Sequence, residues 1–160
     1  MARKNRVSSK VVLIVVYFFL GVLIFAILFF HFRKLAFMQC VEHIDNSPTH
    51  THTQLKIIQD GVDVLVPANI GLTTACMHPL HTHDATGLIH MEYPIPFPFF
   101  LGDFFDTMGT TFSDTQIGGI REFDGYEITI KKNDKKVSAF YRWILLKDLD
   151  KIEINIVKKS

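Results

Sequence analysis

Seven of the eight histidines in this 160-residue chain lie between residues 43 and 90, and none follows position 90. Imidazole titrates near pH ~6.5 and its neutral form is the commonest metal ligand, so such a cluster points to metal binding or proton sensing before ordinary surface polarity. Spacing favours metal. In Thr49 to Gln54, His50, His52 and Gln54 share one parity, so in an extended strand they project from one face while Thr51, Thr53, Leu55 and Ile57 project from the other. His81 and His83 repeat the spacing in HTHD, and His90 and Glu92 share a face of the strand expected next. Three segments are therefore expected to converge on one ion, with His50, His52, His81, His83 and His90 as ligands. Asp84 and Glu92 are the carboxylates placed to ligate or to fix a ring tautomer from behind. Imidazole suits copper, zinc, nickel or iron; Met77 and Met91 lean toward copper, because thioethers suit Cu(I), and the expected ion is copper first and zinc second. His43 beside Glu42 reads as a linker residue and His78 before Pro79 as a turn residue, and neither is counted as a ligand. Neither Cys-x-x-Cys nor HExxH occurs, so the pattern is not that of a zinc finger or a zincin, and nothing in it requires turnover. Three other uses of the histidines stay open: a pH sensor, a subunit interface, or an enzyme with His81, His83 and His90 as ligands and Asp84 or Glu92 as base.

The elements that must position these residues begin with an apolar run. Val11 to Phe30 is twenty residues without a charge, which as a helix spans about 30 Å, the thickness of a bilayer core. It exceeds the roughly 7–15 residues of a signal-peptide core, and His31, Phe32, Arg33 and Lys34 follow it in place of small residues at a cleavage site, so it reads as an uncleaved signal anchor. Four basic residues precede it and two follow, which places the amino end in the cytoplasm and the remainder outside. Residues 41–160 hold eleven Lys/Arg against sixteen Asp/Glu, a net of −5, which disfavours nucleic acid; Lys131, Lys132, Lys135 and Lys136 form the one basic patch and read as a hairpin tip. Cys40 and Cys76 are the two cysteines, and on the oxidising side of a membrane they are expected to form a disulfide, the alternative being free thiols with Cys76 as a soft ligand.

Beyond the anchor the pattern is mostly β. Thr49 to Gln59 and Val62 to Val66 flank Asp60-Gly61 as a hairpin, and Pro67 to Gly71 breaks the chain. Gly87 to Tyr93 alternates as a strand, Pro94, Pro96 and Pro98 enforce an extended stretch, and Leu101 to Met108 reads as a short amphipathic helix closed by Gly109. Tyr126 to Lys132 and Lys136 to Trp143 alternate around Asn133-Asp134 as a second hairpin, and Ile152, Ile154 and Ile156 mark a closing strand. Phe97, Phe99, Phe100, Phe104 and Phe105 are expected in the core, a docking patch being the alternative. The expected organisation is a cytoplasmic basic tail (1–10), a transmembrane helix (11–32), a juxtamembrane linker (33–48) and an extracytoplasmic domain (49–160), mostly β, as a small sandwich or α+β fold with one short helix.

At Cys76, HTHDATGLIHME (His81 to Glu92) and LGDFFDTMG (Leu101 to Gly109), the chain resembles an uncharacterised family of membrane-anchored or secreted archaeal and bacterial proteins without an established activity. In that family a cysteine precedes an H-x-H-x-H strand and a V-P-A-x-I-G stretch, matched here by Cys40, His50, His52 and Val66 to Gly71, with Gln54 in place of the third histidine. The resemblance supports the paired cysteines and the histidine cluster, and the Gln54 departure argues against a three-histidine site on that strand. The expected role is metal binding, delivery or sensing at a membrane. The bilayer is the expected partner, and the alternative is an accessory subunit of a larger membrane complex such as an oxidase or monooxygenase.

Overall fold

A computed structural model describes residues 9–41 and 49–159, so His43 lies outside the described residues. The chain divides into two compact units, Met1–Ala36 and Phe37–Ser160. The first is built on helix α1 (Ser9–Met38), apolar all round and long enough to cross a membrane by length and composition. No amphipathic stripe is present along it.

The second unit is mostly β. Its strands are β1 (Thr49–Gln59), β2 (Val62–Val64), β3 (Leu80–His81) and β4 (Leu88–Tyr93), followed after helix α2 (Leu101–Thr107) by β5 (Phe112–Ser113), β6 (Gln116–Ile117), β7 (Ile120–Arg121), β8 (Tyr126–Lys132), β9 (Lys135–Val137) and β10 (Asp150–Lys158). The large sheet runs β3-β4-β1-β10-β8-β9, with β2 also on β1; β5, β6 and β7 form a separate small meander. β1 is its spine. One edge of β1 pairs antiparallel with β4 over Thr49 to Gln54 and with β2 over Ile57 to Gln59, and the other pairs parallel with β10. The expected hairpin at Asp60-Gly61 forms with φ of 49° and 82°, the left-handed pair that a two-residue loop requires.

The alternation read from sequence separates the two faces. Leu55, Ile57, Ile89, Met91, Ile128, Ile130, Ile152, Ile154 and Ile156 are buried and share the core with Leu101, Phe104 and Phe105 of α2 and with Phe112. Phe99 is also buried and Phe97 packs against the core, so most of the aromatic run is core packing. α2 begins with Asp103 accepting a hydrogen bond from the Phe100 amide at 2.8 Å, and ends at Met108 before Gly109.

The expected strand over Lys136 to Trp143 is corrected. β9 stops at Val137, and Tyr141–Trp143 forms a 3-10 turn. The Asp114 carboxylate accepts from the Phe140 and Tyr141 amides, each at 2.7 Å, and draws the chain out of the sheet with Phe140 at φ 60°. A long-range side chain overrides a local alternating pattern here.

Candidate metal centre

The face of the sheet opposite the core carries the histidines. Strand register pairs His52 with His90 and His50 with Glu92 across β1 and β4, and His81 with His90 across β3 and β4. His83 joins them from the turn that links β3 to β4. All five expected ligands are therefore brought together, from two strand pairs and one turn.

His90 is the centre. Its ring lies 4.5 Å from His52, 4.6 Å from His83, 5.3 Å from His81 and 6.2 Å from His50, centroid to centroid. The donor nitrogens fall into two sets, His50/His52/His90 and His81/His83/His90, each with all its donors within 4.8 Å of one another. Each set could hold a metal ion. The expected convergence on a single ion thus resolves into two overlapping triads that share His90.

Electrostatics in the cluster favours a neutral His90 ring. Burial, followed by repulsion from His52, His83 and His50, pushes the His90 pKa down to about 4. At neutral pH His90 is thus a lone-pair donor, as a metal ligand must be. Its Nδ1 is buried and has no hydrogen-bond partner among the described residues. Such an orphan is rare in a protein interior, and a bound cation is one way to satisfy it. His81 is fully buried, and its Nδ1 lies 3.0 Å from the His78 carbonyl. A carbonyl only accepts, so Nδ1 carries the hydrogen and Nε2 is the nitrogen turned to the site. Behind the rings, Glu92 is 1% exposed, with Oε1 3.3 Å from His50 Nε2 and 3.8 Å from His81 Nε2. The two expected carboxylates therefore differ. Asp84 accepts from the Thr86 amide and hydroxyl, bonds that lower its pKa, and serves to shape the turn that carries His83.

Several positioning contacts were not foreseen from sequence. Thr82, buried between the two histidines of HTHD, donates to the Pro67 carbonyl at 2.9 Å and accepts from the Ile70 amide at 3.1 Å. The Asp148 carboxylate accepts from the His52 amide at 2.9 Å, and the His52 carbonyl accepts from the Leu149 amide at 2.7 Å. Gln54, standing in the third histidine position, donates to the Thr86 carbonyl at 2.7 Å. It braces the β3–β4 turn against β1. Gly87 closes that turn at φ +80°, and a Cβ there would lie 2.1 Å from the Leu55 carbonyl oxygen. These contacts link residues far apart in sequence, so no local pattern announces them.

Cys40 and Cys76 form a disulfide with Cα atoms 5.1 Å apart, and the Val41 amide donates to the Met77 carbonyl beside it. The bridge fixes the segment leading to His78 and His81, and it points to an oxidising compartment. No protein-family model matches the chain, and neither a curated protein nor a solved structure matches it.

Proposed function

We propose that this is a single-pass membrane protein whose extracytoplasmic domain holds a transition metal, copper first and zinc second, for binding, delivery or sensing. The observation that carries the reading is the pair of histidine triads around His90, whose buried Nδ1 has no hydrogen-bond partner among the described residues. Five imidazoles kept close together, one with its pKa driven to about 4, form a donor set that suits borderline and soft cations. The apolar helix α1 and the Cys40–Cys76 disulfide support an anchored domain on the oxidising side of a membrane. Met91 faces the core rather than the cluster, so the preference for copper rests on the imidazoles and the compartment.

The test is metal content and affinity of the full chain in detergent, measured for Cu(I), Cu(II) and Zn(II) beside a His81→Ala/His83→Ala variant. Tight binding in the parent, with the ion of the His81/His83/His90 set lost in the variant, is the expected result, and absence of binding in the parent overturns the reading. The accessory-subunit reading draws on a separate feature, the exposed Phe140 held at φ 60° beside the half-exposed Trp143. Migration of the extracted protein as a lone monomer counts against it.

A further inference from the structure

We propose that the histidine cluster is a two-ion centre, with the His90 ring bridging the ions and the Glu92 carboxylate supplying the negative charge between them. The inference rests on the metal-binding reading above and specifies its stoichiometry.

Three observations carry it. First, among the described residues the donor nitrogens close into two triads, and His90 is the one member common to both. The His50 and His52 rings are 4.9 Å apart, as are those of His81 and His83, and each pair packs against His90. Second, a terminal histidine ligand places its other nitrogen on a carbonyl or carboxylate, which fixes the tautomer. His81 does this through the His78 carbonyl, 3.0 Å from its Nδ1. His90 does not, since its Nδ1 is buried with no hydrogen-bond partner among the described residues. A ring bound through Nε2 alone would leave that N–H buried and unsatisfied, so Nδ1 is itself placed as a donor to an ion, and a ring shared by both triads gives one nitrogen to each. Third, Glu92 Oε1 approaches one member of each triad, His50 Nε2 at 3.3 Å and His81 Nε2 at 3.8 Å. A carboxylate that approaches both triads offsets the repulsion that a second ion meets from the first.

The proton balance follows directly. Neutral His90 carries one N–H, so occupation of both nitrogens releases that proton to solvent and leaves an imidazolate between the two cations. The ions are of the imidazole-preferring class, and Cu(II) is the informative probe because a bridging imidazolate couples two copper spins.

The experiment is titration of the full chain in detergent with Cu(II), following bound copper by mass spectrometry and spin by electron paramagnetic resonance. Two ions per chain are expected, with the second causing at least a tenfold loss of signal per bound copper at low temperature. His83 is exposed, so His83→Ala removes one triad with little demand on folding. It is expected to reduce the stoichiometry to one and restore full signal. Glu92→Gln keeps the shape of the buried side chain and is expected to weaken the second ion at least tenfold more than the first. Two ions at full signal overturn the bridge. One ion per chain in the parent overturns the two-ion centre while leaving the metal-binding reading intact, and no bound copper or zinc overturns both.

Discussion

Substituting Gly87 by alanine tests whether the β3–β4 turn sets the metal geometry. The residue sits at φ +80°, and a Cβ would fall 2.1 Å from the Leu55 carbonyl oxygen, with the Gln54 amide nitrogen also close at 3.2 Å. An L-residue in the left-handed region costs about 1–2 kcal/mol. The contact adds to that, because carbon and carbonyl oxygen settle at about 3.3–3.6 Å, so the turn must retreat by about 1 Å from β1. Retreat also stretches the 2.8 Å hydrogen bond from the Leu55 amide to the Gly87 carbonyl, a loss of about 1 kcal/mol. Together these give a destabilisation of about 2–3 kcal/mol. His83 and His90 flank the turn, and metal–ligand distances tolerate only about 0.2 Å, so metal affinity is expected to fall by about 10–100-fold. Gly61 supplies the control, since it has φ +82° with nothing within 4 Å of a Cβ. Gly61→Ala thus carries the backbone cost of about 1–2 kcal/mol without the clash. Urea denaturation and metal titration of both variants, as full chains in detergent, read the difference. Equal metal affinity in the two variants would refute the reasoning that this turn positions the ligands.

Further expectations follow from the same contacts. Gln54→Ala removes the hydrogen bond to the Thr86 carbonyl and is expected to cost about 1 kcal/mol with a several-fold weaker metal affinity; an unchanged affinity would show that the brace does not reach the ligands. Replacing Cys40 and Cys76 together by alanine opens a bridge between residues 36 apart in sequence, for which chain entropy gives a loss of about 4 kcal/mol, measured as the shift in urea midpoint. His90 has its pKa lowered to about 4 by burial and by His52, His83 and His50, so between about pH 4 and 6.5 the unfolded chain binds the extra proton. Stability of the metal-free protein is therefore expected to fall as pH drops from 6.5 and to level off below 4. His90→Gln should remove that component of the pH profile, and a profile identical in both proteins would contradict the assignment.

Much of the site was legible because strand parity is a rigid rule. Once Thr49 to Gln59 is extended, His50 and His52 must share a face opposite Leu55 and Ile57, and the structure places them so. The pairing of that strand with β4 was not legible, since register depends on which core faces meet, and it is register that sets His90 against His52 and His81. The division into two triads follows from that register and from the β3–β4 turn that brings in His83. The carboxylates show the same limit: Asp84 and Glu92 both lie within two residues of a histidine in sequence, but Asp84 is taken by Thr86 whereas Glu92 faces His50 and His81. The one misread strand, beyond Val137, fails because Asp114, more than twenty residues earlier, holds the Phe140 and Tyr141 amides.

The most direct test of the central claim is X-ray absorption at the metal edge of the full chain loaded with zinc or copper. The account predicts a shell of nitrogen at about 2.0–2.1 Å with the outer-shell scattering of imidazole rings, and no sulfur. A shell of oxygen without imidazole scattering, or one containing sulfur, would contradict the assignment of His50, His52, His81, His83 and His90 as the ligands.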